Sequence, residues 1–284
     1  MMKHLLSGLA IAAVALCVTT ARADLVGYWS LDGDTDADAG GWGASTQQPG
    51  GNGENDVSFP ADVPTQIGAR NAQSIAFDSN NDDRIVTGFD AATAGINGPA
   101  VVTVAFWLKH TSAPNNNAVV YLGNASATGG QLVSFEPISN NRLAAYYFNG
   151  NQISSNGTLL PNVWQHVAWT YQTNHGTSRV FINGVDVSGS SANPGNTVSF
   201  PTDATITLGD RVSGNDPSND FQLADLAIWD EILSTTRIAE LAAGANPAPV
   251  LIPEPMTMLA VGLSVAGLRG YVRKRNVPSG RRRG

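Results

Sequence analysis

The stretch NVWQHVAWTYQTNHGTSRVFINGVDVSG, Asn162–Gly189, decides the fold. Two runs within it, WQHVAWTYQT and SRVFINGVDVS, are dense in Val, Ile, Thr and aromatic residues, the side chains that suit a pleated strand. Asn183-Gly184 stands inside the second run, and both residues tolerate positive φ, so a two-residue type I′ hairpin is expected there. His166 alternates with Trp164 and Ala168 along the first run and reads as a packed strand residue rather than a catalytic one.

The same texture extends in both directions. Between Asp24 and Gly244 come VGYWSL, SIAFD, RIVTGF, VVTVAFWLKH, AVVYLG, QLVSFE, RLAAYYFN, ATITLGD and LADLAIWD, each set off by turn residues. Alternation is clearest where Val102, Val104, Phe106 and Leu108 share one face and Thr103, Ala105, Trp107 and Lys109 the other. Asn149-Gly150 suits a second type I′ hairpin, whereas Asn156-Gly157 reads as a loop. One helix is expected: Ser234 caps it, TTRIAELAA supplies its turns and Gly244 ends it. About eleven strands and one short C-terminal helix predict an all-β fold, a two-sheet antiparallel sandwich.

Charge is unevenly distributed along the 284 residues. All 23 acidic residues lie between Asp24 and Glu254, where only Arg70, Arg84, Lys109, Arg142, Arg179, Arg211 and Arg237 are basic. Such a body repels nucleic acid and attracts divalent cations. Lys3 and His4, the apolar run Leu5–Val18 and the small-residue motif before the Ala23–Asp24 junction read as a signal peptide over 1–23. The single cysteine, Cys17, falls inside it, so the mature chain is expected to lack disulfides. At the other end, GANPAPVLIPEP is a Pro-rich spacer, assigned to 245–252, that leads into an apolar run from Met256 to Leu268 and a basic cluster.

IPEPMTMLAVGLSVAGLRGYVRKR resembles the PEP-CTERM sorting signal, here 253–284 with a short transmembrane segment and basic tail. Pro253, Glu254 and Pro255 match its tripeptide, while Arg269 interrupts the apolar run and NVPSGRRRG extends past the usual ending. The resemblance implies export across the inner membrane of a Gram-negative bacterium, transient membrane insertion through the C-terminal segment, and processing by the membrane enzyme exosortase. It further implies residence in the cell envelope or in an extracellular polysaccharide (biofilm) matrix.

The body, 24–244, resembles the LamG-like, concanavalin A-like jelly rolls. The likeness is carried by LVGYWSLDGDTDADAGGWG, AQSIAFDSNNDDRIVTG, VVTVAFWLKH, the opening stretch with Trp164, His166 and Val167, and LADLAIWDEILSTTRIAEL. Many members carry Asn-Arg where this chain has Asp230 and Glu231, and an acidic pair where it has only Asp225 beside Ala224.

Several residues are candidates for chemistry. Asp32, Asp34, Asp36 and Asp38 alternate, and an extended loop would gather their carboxylates, an arrangement that suits a hard cation. The EF-hand template fails, since Ala37 or Ala39 stands at its sixth position and no glutamate at its twelfth. The resemblance implies a structural Ca2+ near such loops, with Asp225 a further ligand; a solvated acidic loop is the alternative. DSNNDD, Asp78–Asp83, reads as a turn. Glu54, Glu136 and Glu231 each lack the second carboxylate that glycoside hydrolysis needs, and His110 and His175 stand beside loop residues, so no catalytic residue is expected. Tyr146, Tyr147 and Phe148 read mostly as core; Trp42 is either loop packing or a ligand contact. The expected protein is an exported, non-catalytic module that binds polysaccharide or matrix proteins, or a structural matrix protein with no specific ligand, and only remotely a glycoside hydrolase.

Overall fold

The computed structural model describes residues 24–48, 57–78, 83–111, 117–211 and 220–248. The signal peptide through Ala23, the middle of DSNNDD, and the sorting motif with its apolar and basic tail lie outside the described residues. The strands are β1 Leu25–Trp29, β2 Gly43–Gln48, β3 Ile75–Phe77, β4 Arg84–Gly88, β5 Gly98–Pro99, β6 Val101–His110, β7 Val120–Gly123, β8 Val133–Ile138 and β9 Arg142–Tyr146. They continue with β10 Asn151–Ser154, β11 Gln165–Gln172, β12 Arg179–Ile182, β13 Val185–Asp186, β14 Ser188–Ala192, β15 Ser199–Phe200, β16 Thr205–Leu208 and β17 Phe221–Trp229, followed by α1 Thr235–Ala242.

Two antiparallel sheets form the expected sandwich. The first runs β1-β17-β6-β11-β12-β13, with β3 also on β17, and the second runs β14-β10-β9-β8-β7-β16-β4-β2. Their inner faces interdigitate. Val104, Phe106, Val167 and Trp169 of the first sheet meet Phe135, Leu143, Ala145 and Leu208 of the second in one buried core. Phe135 bridges the layers edge-on, 5.5 Å from Phe106 and 5.6 Å from Trp169. Each such fully buried side chain contributes about 1.5–3 kcal/mol of apolar transfer. Trp169 keeps its indole N–H satisfied at 2.8 Å from Ser178 Oγ, so a polar handle is buried without penalty.

The hairpin at 183–184 forms as its sequence dictates. Asn183 and Gly184 have φ of 51° and 80°, and Ile182 pairs with Val185 across the turn. Gly184 is required twice over, because a Cβ there would also lie 2.9 Å from Ala239 Cα of α1. Just beyond, the chain changes sheets at Val187, whose N–H bonds Val180 and whose carbonyl accepts from Ser155. At 149–150 the expected type I′ hairpin does not form. Tyr146 pairs with Asn151, leaving a four-residue connection in which Phe148, not Asn149, takes the positive φ of 62°.

Three strands carry no apolar signal: GASTQQ, NQIS and SGSSA become β2, β10 and β14. β2 and β14 are the two edges of the second sheet, where polar side chains discourage pairing with another chain. The helix matches its reading. Ser234 Oγ accepts from Arg237 N–H at 3.1 Å, and Gly244 ends the turn at φ 97°. Beyond Gly244 the chain keeps packing on the body: Ala245 N–H bonds Glu240 O, and Pro247 is buried.

The outer face of the first sheet is covered. Trp107 and Ala224 pack with Ile67 and Trp164, and Thr103 Oγ1 accepts from Leu233 N–H while donating to Glu231 O. At its centre β17 breaks register between Ala224 and Ala227, and Asp225 takes a left-handed φ of 53°. The Asp225 carboxylate accepts from Tyr28 Oη at 2.8 Å, from Asn71 Nδ2 at 3.2 Å and from Arg70 Nη2, while Arg70 Nη1 reaches Gly244 O at 2.5 Å. Burial pushes this carboxyl up, and Arg70, Tyr28 and Asn71 pull against that shift. Asp225→Asn keeps a residue that tolerates the left-handed backbone but sets an amide against the buried guanidinium. The expected loss is about 3 kcal/mol by urea denaturation; a variant as stable as wild type would mean that Arg70 finds an equivalent partner.

Candidate functional site

The acidic loop engages its own backbone. Asp32 Oδ1 accepts from the amides of Ala72 and Gln73 at 2.9 and 2.7 Å, and Asp38 Oδ2 accepts from Ser30 N–H at 2.6 Å. Asp34 accepts from Asp36 N–H at 3.1 Å, and Asp36 from Ser45 N–H at 3.3 Å. The Asp34–Asp36 bond is an Asx turn, and the longer-range bonds tie the loop to the residue after β1, to β2 and to the segment before β3. Among the described residues no three His, Cys, Asp or Glu side chains are grouped to hold a metal ion. In this arrangement each of the four loop carboxylates is bonded to backbone amide groups, and Asp225 lies in the Arg70 cluster. Trp42 follows the packing alternative. Its Nε1–H donates to Val26 O at 2.8 Å, and its ring lies 4.8 Å from Phe89 against the core.

The histidines are structural as well. His166 sits edge-on to Trp107 at 5.3 Å, beneath Leu241, Ala245 and Pro247, in a space with no room for water. Burial alone pushes its pKa down to about 3. His175 caps the core edge, its ring 4.3 Å from that of Tyr147, and burial lowers its pKa too. His110 is the buried last residue of β6.

The concavity with chemical potential is on the outer face of the second sheet. Register across β8, β9 and β10 sets Ser134, Tyr146 and Asn151 in one row and Glu136, Ala144 and Ile153 in the next. Ile138 and Arg142 form the row after that. Ala144 is the small residue at the centre, so the taller neighbours leave a hollow of about 430 Å³ above it. That size lies within the range of about 300–1,000 Å³ usual for small-ligand pockets. Arg211, just past β16, closes one side. Its guanidinium lies 4.6 Å from the centroid of Phe148 and 3.7 Å from Glu136 Oε1. Phe148 in turn packs edge-on to Tyr146 at 5.3 Å. The positive φ of Phe148 is what turns its ring out of the core, where it remains 37% exposed. Burial pushes the neighbouring Tyr121 hydroxyl up to about 12, opposed by the charge of Arg211.

The Tyr146 ring, two guanidiniums, a carboxylate and the Asn151 amide thus converge on one hollow. Rings can stack on the C–H face of a pyranose, and the polar groups can bind hydroxyls in fixed directions. Sequence reading placed Glu136 only as a carboxylate without a partner and left Tyr146 and Phe148 with the core. The alternation in RLAAYYF does mark Arg142, Ala144 and Tyr146 as one face. No local signal brings Arg211 to them, because β7 and β16 separate it from β8.

Residues 81–239 match the family Laminin_G_3, described as the concanavalin A-like lectin/glucanases superfamily. Domain 4 of AbnA, a GH43 extracellular arabinanase from Geobacillus stearothermophilus solved in complex with arabinotriose, shares the fold with a TM-score of 0.59 at 18% identity, over 78% of this chain and 98% of that one. The binding domain of Paraclostridial Mosquitocidal Protein 1 follows with a TM-score of 0.51 at 15% identity, over 77% of this chain and 51% of that one. Among curated proteins, the sushi, von Willebrand factor type A, EGF and pentraxin domain-containing protein 1 of Rattus norvegicus is 24% identical over 182 residues, 61% of this chain. The chain spans only 5% of that relative's length.

The buried state of His166 has a pH signature. Its folded pKa of about 3 lies below the ordinary 6.5, so the neutral ring contributes stability that is fully present above about pH 6.5 and lost as pH falls toward about 3. Between about pH 6.5 and 5, before ordinary carboxylates titrate, urea midpoints of wild type should fall more steeply than those of His166→Phe, by close to one proton of linkage. Equal slopes would show that His166 protonates inside the folded protein.

Proposed function

The chain belongs to the concanavalin A-like lectin/glucanases superfamily, and from this premise we propose that it is an exported, non-catalytic carbohydrate-binding module. The hollow of Glu136, Arg142, Tyr146, Asn151 and Arg211, with Phe148 packed behind Arg211 and Tyr146, is the observation that carries the reading. A domain of the same fold, from the arabinanase, was solved holding an oligosaccharide, which supports it. A glycosidase would need two carboxylates flanking the scissile bond, about 5–9 Å apart. Among the described residues, the lining of the hollow offers one, Glu136, facing Arg211.

Tyr146→Ala and Arg211→Ala should each weaken binding to a responsive glycan, found on a broad panel that includes bacterial extracellular polysaccharides, by about tenfold or more, equivalent to roughly 1.4 kcal/mol. Thermal unfolding of Tyr146→Ala should stay near wild type, since its side chain is half-buried on the outer face. Because the loop carboxylates are engaged by backbone amides, binding should persist in EDTA. If wild type binds nothing on the panel, the module reading falls and a structural matrix role takes its place.

Delivery is read from the two termini. The segment 1–23 directs export, and Pro253, Glu254 and Pro255 present the tail to exosortase in a Gram-negative envelope. In a host that carries exosortase, its deletion should leave the tail attached, seen as a larger, membrane-associated species by mass spectrometry. An unchanged mature mass would remove the sorting assignment.

A further inference from the structure

The hollow has a local charge opposite to that of its surroundings. Only seven basic residues stand against 23 acidic ones between Asp24 and Glu254, yet two of the seven, Arg142 and Arg211, line this one concavity. Their situations differ. Arg211 is matched by Glu136 at 3.7 Å and held over Phe148, so that pair is close to neutral. Arg142 is steadied instead by uncharged groups: its Nε donates to Ser139 O at 2.9 Å, and its Nη2 lies 3.5 Å from Ser139 Oγ. Among the described residues it forms no ion pair. Of the charged side chains that line the hollow, Glu136, Arg142 and Arg211, Arg142 is thus the guanidinium without an ion pair among the described residues, and its stem is fixed.

Such a charge is unfavourable to place without a purpose in a ligand site for neutral hydroxyls. A planar guanidinium fixed at its Nε presents its remaining N–H groups as a fork that matches a carboxylate. Next to it, Ala144 and Ile153 give an apolar floor, and Tyr146, backed by Phe148, gives an aromatic wall. We propose that the hollow selects a saccharide bearing a ring carboxylate, a uronate residue, with Arg142 binding the carboxylate while the Arg211–Glu136 pair and Asn151 bind hydroxyls. The strongly acidic remainder of the body disfavours anionic polymers everywhere else on its surface, so selectivity is concentrated at this point.

This proposal rests on the carbohydrate-binding reading of the same site, and its test separates the two. The intact mature protein is titrated with short oligomers of galacturonate, glucuronate and mannuronate and with their carboxyl-reduced counterparts of equal length. At least one uronate oligomer should bind about tenfold or more tightly than its reduced form, the scale of one charge-assisted contact. Arg142→Gln should abolish that preference, lowering affinity for the uronate far more than affinity for the reduced oligomer, and Arg142→Lys should restore part of it by charge without the fork. Melting curves of both variants confirm folding. If reduced oligomers bind as well as uronates and lose affinity in Tyr146→Ala, the uronate assignment is overturned and the carbohydrate reading stands. A preference that survives in Arg142→Gln overturns the role of Arg142. If neither class of oligomer binds wild type, the uronate proposal is overturned, and the broad glycan panel alone then decides the carbohydrate reading.

Discussion

The contact between Arg70 and Asp225 ties together segments that lie far apart in the chain. It joins β17 at its bulge to the segment before β3, and through Arg70 Nη1 to the carbonyl of Gly244 at the end of α1. Tyr28 and Asn71 bring β1 and the Ser30 carbonyl into the same cluster. The bulge in the pairing of β17 with β6, between Ala224 and Ala227, falls where the other edge of β17 passes from β3 (Phe221–Leu223) to β1 (Leu226–Trp229). A buried pair seldom exceeds a hydrophobic replacement in net stability, because desolving two charges opposes their attraction. Its effect here is positional: carboxylate and guanidinium accept few other arrangements, and four segments are held in one register.

That constraint decides which face of the sandwich is left for a ligand. With α1 latched by Arg70 and capped by Ser234, the outer face of the first sheet is filled by Ile67, Trp107, Trp164 and the helix. Even His166, on that face, is sealed in a space closed to water. Among the described residues, no helix lies over β8–β10 on the outer face of the second sheet. Its concavity remains open, and the residues that alternate outward from β8, β9 and β10 become its lining.

The legible parts of the fold were those where side-chain chemistry and backbone demand coincide. Val102 to Leu108 alternate and become a central strand; Asn183-Gly184 turns because both residues accept positive φ; Ser234 and Gly244 bound the helix. The edge strands β2 and β14 were illegible because their Ser, Thr and Gln suit an exposed edge and not the core, and the interior β10 carries only Ile153 as an apolar signal. Asn149-Gly150 shows the limit of a dipeptide signal. The Tyr146–Asn151 pairing lengthened the connection and moved the left-handed residue to Phe148.

The candidate site was harder to read for a physical reason. Alternating aspartates look convergent in sequence, but a backbone amide is a nearer partner for each of these carboxylates than a common centre, and the loop folds around those bonds. Asp225, judged by its place beside a strand, became the buried member of an ion pair. The hollow depends instead on long-range register, which puts Glu136 opposite Ala144 and Ala144 opposite Ile153. Had the central residue been large, Tyr146 and Arg142 would border a flat surface. A single small side chain in the middle row turns an exposed sheet into a container, and only strand pairing reveals that it stands in the middle.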